Sequence, residues 1–273
     1  MTVVATIISQ HGTVHATDSF ITSITRNGDR HIEEARRTKI VPLPHWRGAL
    51  VYYGLAKFPS RNWSTLDWLR SHASASSGFP DPEAHAQSIA TGLQELLRSM
   101  GLDKQPAASI GIHFSAYEYV NGYWIPELFQ ITNWTNTDYD ILREDGIVSL
   151  RQTYGNLPGA AEAPAGSLDL SRLAVHEFLA RGGMFIFNNG DPFLFNPVSA
   201  AIFAGMSKLS ERGWLASADQ VRLLRQLSAT PIRVVSQLHR EFSTKGRRVV
   251  GGMVHNISTT PGGIYQSDTG DSP

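Results

Sequence analysis

The sequence predicts an α+β chain in which two antiparallel sheets face each other and helices cover their outer faces, a four-layer αββα sandwich. Three observations carry that expectation. Strand-like alternation opens the chain from Val3 to Ile8 and resumes through Val14 and Ala16 to Asp18, with a turn at Gln10-His11-Gly12 between the two runs. Helical spacing then comes in two blocks, Ser64 to Gly101 and Leu170 to Phe242, with a pair of alternating runs between 109 and 131 separating them. A last strand follows from Val249 to Ser258. Strands and helices in that order bury their apolar faces as paired sheets with helices outside.

Each element has its own warrant. After Asp18, residues Ser19-Phe20-Ile21-Thr22 stay strand-like, and Arg26-Asn27-Gly28-Asp29-Arg30 reads as a polar turn. Lys39 to Leu43 is a short strand broken by Pro44, and Ala49 to Ala56 is a nearly continuous apolar strand, the pattern of burial on both faces. Ser64 with Asp67 three residues on resembles a capping box, and Leu66, Leu69 and Ala73 follow at helical spacing. Asp81-Pro82-Glu83 supplies an N-cap, a first-turn proline and a first-turn carboxylate for a helix whose apolar face is Ile89, Leu93, Leu96, Leu97 and Met100, stopped by Gly101. Asn121-Gly122 suits a two-residue type I′ turn, and counting outward from it pairs Phe114 with Phe129 and Ile112 with Ile131. Leu170, Leu173, Ala174, Phe178 and Leu179 mark a helix ending at Gly182-Gly183, and another is expected from about Val198 to Arg212. Ser217 caps a last helix that Pro231 is expected to kink or restart. These elements fit a single domain over residues 2–265 with insertions around 132–170, followed by a flexible tail at 266–273.

Composition narrows the function. The 24 basic and 24 acidic residues cancel, which leaves no summed field to draw the chain to nucleic acid or an anionic membrane. No apolar run has the length a bilayer needs and no basic leader opens the chain, so a cytoplasmic protein is expected. The absence of cysteine removes disulfides, thiolate zinc sites and cysteine nucleophiles together. The ten histidines lack ligand spacing and read as structural; His11 and His15 are four apart, but on a hairpin. Gly182-Gly183 and Gly262-Gly263 lack the strand-turn-helix setting of a phosphate loop. Neither a metal nor a cofactor is expected.

The start of the chain holds the chemistry. With Met1 removed, the chain begins at Thr2, whose hydroxyl and free α-amine form a nucleophile carrying its own base. A hairpin through Gly12 brings Asp18 back beside it. Thr2, the run Gly12-x-Val14-x-Ala16-x-Asp18, the pair Lys39-Ile40 and the strand end Tyr53-Gly54-Leu55-Ala56 resemble, in order and approximate spacing, the N-terminal nucleophile hydrolase superfamily, specifically proteasome β-type subunits and their bacterial peptidase relatives. Val250-Gly251-Gly252-Met253-Val254 is similar to the family's late Gly-Gly strand, although Arg247-Arg248-Val249-Val250 lack the acid and hydroxyl usual there.

The resemblance implies a threonine hydrolase that cleaves peptide or related amide bonds through an acyl-enzyme. Thr2 would be the nucleophile, Lys39 a buried cation beside it, Asp18 the partner of that cation, and Gly54 the backbone donor to the oxyanion. Thr22 and Ala56 would grip the substrate backbone, while Tyr52 and Ile21 would narrow the pocket for the side chain before the cut bond. A homo-oligomer, with a ring as one form, is also implied, with a peptide or protein as substrate. Two alternatives stay open: a transpeptidase or protein ligase using the same acyl-enzyme, and an inactive proteasome-like scaffold, which the altered stretch before Gly251 favours.

Overall fold

The computed structural model describes residues 3–24, 30–34, 38–102, 108–132, 147–149, 168–190, 194–211, 220–242 and 250–269. The alternating runs at the start form a hairpin of β1 (Val4–Ser9) and β2 (Gly12–Asp18), paired from Ser9 opposite Gly12 to Val4 opposite Thr17. β3 (Phe20–Ile24) leaves Asp18 after one residue and pairs with β4 (Arg30–Glu34), a polar strand not anticipated beyond the turn at Arg26–Arg30. Its pairing, Phe20 opposite Glu34 and Ser23 opposite His31, comes from tertiary placement rather than from apolar alternation.

β5 (Ile40–Leu43) runs antiparallel to β6 (Gly48–Phe58), an eleven-residue strand around which the second sheet is organised. The β6 side chains alternate as its apolar run implies. Ala49, Val51 and Tyr53 join a cluster with Val4 and Ile257, whereas Leu50 and Tyr52 join one with Leu66, Leu69, Ile89 and Leu93. The short β7 (Trp63–Ser64) leads into α1 (Thr65–Ser74), where Ser64 accepts a hydrogen bond from the Asp67 amide as its cap. α2 (Pro82–Ser99) begins at the expected Asp81, whose carboxylate accepts from the Ala84 amide at 2.7 Å.

The hairpin of β8 (Ile110–Val120) and β9 (Tyr123–Thr132) has the expected register, Phe114 opposite Phe129 and Ile112 opposite Ile131. Both turn residues take positive φ, Asn121 at 52° and Gly122 at 90°, as a type I′ turn requires. β10 (Ile147–Ser149) adds to β9. α3 (Leu168–Ala180), β11 (Met184–Asn189), α4 (Phe195–Glu211) and α5 (Gln220–Phe242) follow. α5 continues through Pro231 instead of restarting. Leu224, Leu227, Pro231, Ile232 and Val235 are all buried on one face, which offsets the helix hydrogen bond that proline removes, and the Thr230 hydroxyl bonds the Gln226 carbonyl at 2.7 Å.

β12 (Val254–Thr260) and β13 (Gly263–Thr269) close the chain as a hairpin, so strand structure runs to Thr269, into the stretch expected to be a tail. β13 completes the sheet edge by backbone pairing, for which its polar side chains are no obstacle. The remaining tail residues 270–273, most of the insertion around 132–170 and Ser217 lie outside the described residues.

The fold is α+β, with five α-helices among the described residues and two largely antiparallel sheets. One sheet has the order β11-β1-β2-β12-β13, the other β10-β9-β8-β6-β3-β4 with β5 and β7 also on β6. Val3, Ala5 and Ala16 pack against Ala229, Ile232 and Val235 of α5, while Val4 and Ile257 meet Val51 and Tyr53 of the second sheet. α1 and α2 cover that sheet's other face. Among the described residues no helix is long and apolar enough to cross a membrane.

Candidate functional site

Asp18 ends β2 with its carboxylate wholly buried. Its Oδ1 accepts from Lys39 Nζ at 2.9 Å and from the Val3 amide at 3.2 Å, and its Oδ2 accepts from the Gly251 amide at 3.1 Å. One charged side chain therefore gathers the start of β1, the approach to β5 and the approach to β12. Lys39 is equally buried, and a buried carboxylate and ammonium are tolerated together where neither is alone. Burial pushes the Lys39 ammonium below the usual lysine pKa, and the charge and hydrogen bond of Asp18 oppose that shift. A lysine held this way gives up a proton more readily than one in water.

The Gly251 contact is reinforced on both sides. The Ser19 amide donates to the Gly251 carbonyl at 3.2 Å, and Ser19 Oγ accepts from the Met253 amide at 2.9 Å. Gly252 has φ +76°, and a Cβ there would lie 2.3 Å from Ser19 Oγ. Only glycine lets the chain pass so close to the β2–β3 corner.

Thr2 lies outside the described residues, as do Arg247, Arg248 and Val249. What is described is the anchoring of the residue after Thr2: the Val3 amide is tied to Asp18, and Thr17 Oγ1 donates to the Val3 carbonyl at 3.0 Å. The beginning of β1 is thus fixed directly at the Asp18–Lys39 pair.

Gly54 takes φ +93°, and a Cβ there would sit 2.1 Å from the Ser109 carbonyl oxygen, which already accepts from the Leu55 amide at 2.9 Å. Two residues earlier, the Tyr52 amide donates to the Lys39 carbonyl at 3.3 Å, so β6 also braces the lysine's backbone. Tyr52, Ile21 and Ala56 are buried in one apolar cluster on the side of α1 and α2. Thr22 is paired with Leu55 and Ser23 with Lys57, a parallel pairing with a shift of register between the two. The structure brings Asp18 and Lys39 into contact, groups Tyr52, Ile21 and Ala56, and sets Thr22 on the strand beside them.

A second polar group lies between the sheets. Thr6 Oγ1 is 2.7 Å from His15 Nδ1 and 2.7 Å from His113 Nδ1. The outer nitrogen of His15 meets Ser115 Oγ at 2.7 Å, and that of His113 meets the side-chain amide nitrogen of Asn189 at 2.6 Å. Burial pushes both imidazoles down to about 3. Spacing could not reveal this group, since His15 and His113 are brought together from different sheets. Nor could it reveal the two backbone donors to Asp18, since an amide carries no side-chain signature. The Gly251-Gly252 pair was the one visible signal. Among the described residues no group of three His, Cys, Asp or Glu is placed to hold a metal ion.

No protein-family model matches the chain, and no curated protein does. Among solved structures the chain is similar to Anbu (ancestral beta-subunit) from Yersinia bercovieri, with 13% identity over 100% of this chain and 89% of that one and a TM-score of 0.37. It is also similar to BPH of Thiobacillus denitrificans, with 15% identity over 70% of this chain and 99% of that one and a TM-score of 0.28. Neither likeness assigns an activity to this chain.

Proposed function

We propose that the chain is an N-terminal threonine hydrolase with a four-layer αββα arrangement, cleaving peptide or related amide bonds through an acyl-enzyme. The observation that carries this reading is the wholly buried Asp18–Lys39 pair with the Val3 amide on the same carboxylate. A fold has little reason to bury an ammonium at the first residues of its chain unless its charge acts there, because the burial costs several kcal/mol. Thr2, freed of Met1, attacks the substrate carbonyl, and its α-amine takes the hydroxyl proton directly or through a water. Lys39 favours the developing alkoxide, while Asp18 holds the lysine in place. The Gly54 N–H receives the oxyanion. The intermediate collapses as the leaving amine takes the proton, and water then releases the acyl group from Thr2.

Thr22 on β3 and Ala56 on β6 lie on neighbouring strands, and each would offer backbone hydrogen bonds to an extended substrate. Tyr52 and Ile21 fill the neighbouring space, which favours a small side chain before the cut bond. A peptide series varied at that position should be cut best with Gly or Ala, and a preference for Phe or Leu would remove this part of the reading.

The test of the chemistry is intact mass before and after a threonine-directed acylating probe. The wild type should lack Met1 and gain one acyl group, and Thr2→Ala should gain none. Met1 fully retained, or no acylation of the wild type, would favour the scaffold reading, whose support is the lack of an acid and hydroxyl at Arg247-Arg248-Val249-Val250. An added amine that captures the acyl group faster than water would mark the transpeptidase.

A further inference from the structure

Each of the five polar groups between the sheets can be given one set of protons. The Asn189 amide nitrogen is a donor only, so His113 Nε2 accepts from it and the ring carries its proton on Nδ1. That Nδ1–H donates to Thr6 Oγ1, and the Thr6 hydroxyl must then donate to His15 Nδ1. His15 consequently carries its proton on Nε2 and donates to Ser115 Oγ, which exchanges hydrogen bonds with the backbone of Ala49. The chain crosses from β11 to β8, to β1, to β2 and back to β8 and β6, so it joins the two sheets three times. All of its members point one way.

An added proton has no place in that chain. If His15 gains one on Nδ1, Thr6 Oγ1 faces two donors and its own hydroxyl loses its acceptor. If His113 gains one on Nε2, it meets the Asn189 amide donor to donor. Either event also leaves a charge inside an apolar surround of Val4, Val51, Tyr53 and Ile257. The titratable groups that β-strand registers place on this face are Tyr53 on β6, Tyr117 on β8 and His255 on β12; Tyr53 stacks edge-on to His113, and Tyr117 is held by Thr13 and the Thr259 carbonyl. Tyr53 and Tyr117 are pushed up to about 12 and stay neutral. The Asp18–Lys39 pair lies at the end of β2 with its charges already matched.

We propose that Thr6, His15 and His113 form an acid-sensitive lock between the two sheets, which holds while both imidazoles are neutral and releases both together when either takes a proton. The low values near 3 for the two rings accord with it. Release acts on Asn189, which lies opposite Val4 at the end of β1 that Val3 ties to Asp18. Acid therefore loosens the sheet next to the proposed site, whether or not that site is catalytic.

Two measurements on the whole chain test this. Long-range proton–nitrogen NMR of the histidine rings at neutral pH should show opposite tautomers, Nδ1–H on His113 and Nε2–H on His15, and neither ring should titrate while the folded spectrum persists. Urea unfolding measured across about pH 6 to 4 should show the two rings taking up one proton each on unfolding, a tenfold change in the unfolding constant per pH unit for each ring. His113→Phe and His15→Phe should each remove one such proton from that slope. Folded wild type in which either ring titrates near its ordinary 6.5, or single variants with the wild-type slope, would overturn the proposal. Should both variants fail to fold, the wild-type tautomers and titration still decide it.

Discussion

Asp18 satisfies three donors at a point that solvent does not reach. Asp18→Ala strands the Lys39 ammonium and should cost roughly 3 to 5 kcal/mol, against about 0 to 1 kcal/mol for an exposed pair. Urea or thermal melts of Asp18→Ala indistinguishable from wild type would exclude the buried-pair account. Gly54 gives a second test at this scale. Its φ of +93° and the Ser109 carbonyl 2.1 Å from a would-be Cβ oppose any side chain. Gly54→Ala should therefore lose roughly 2 kcal/mol or more, since strained φ and overpacking each cost of the order of 1 to 3 kcal/mol. Asp18 and Lys39 were legible as a pair because their types and spacing match a familiar pattern. Val3 and Gly251 were not, because a backbone amide carries no side-chain signature.

The local signals that held were the ones set by backbone chemistry. Asp81 before Pro82 fixes the start of α2, and Asp81→Ala should cost about 1 kcal/mol by leaving the Ala84 amide without its acceptor. Denaturant midpoints would measure it, with Asp81→Ser as the control that retains most of the stability. Asn121-Gly122 similarly sets both the turn and the register of β8 and β9, since the two positive φ values suit the twist of the flanking strands. β4 was missed because it reads as polar, and α5 runs unbroken through Pro231 because one long apolar face holds it.

For the whole molecule, pH is the informative variable. His15 and His113 have folded pKa values of about 3, below the ordinary 6.5 they take when unfolded. Above 6.5 neither state binds the proton. Between 6.5 and about 3 only the unfolded chain does, so stability falls as pH falls through that window, by up to about 1.4 kcal/mol per pH unit for each ring. From pH 6.5 to 5 the two rings together should cost roughly 3 kcal/mol, measurable as a lower urea midpoint. His85, packed against Trp46 and Phe79 and pushed down to about 4, adds in the same direction. Assembly is a separate matter. The proposed reading expects a homo-oligomer, and light scattering that finds a monomer at micromolar concentration would argue against it while leaving the chemistry untouched.

The sequence by itself determined the β1–β2 and β8–β9 hairpins, the capped helices and the α+β class, because alternation, caps and turn residues act within a few positions of the chain; the pairing of Asp18 with Lys39 followed from the resemblance. The tertiary structure alone decided which backbone amides complete the Asp18 site and how Thr6 comes to lie between His15 and His113. Those contacts join residues up to 233 positions apart, as Gly251 and Asp18 are. Their physical basis is that a buried polar group must find a partner wherever the packed sheets bring one, and local spacing says nothing about where that is.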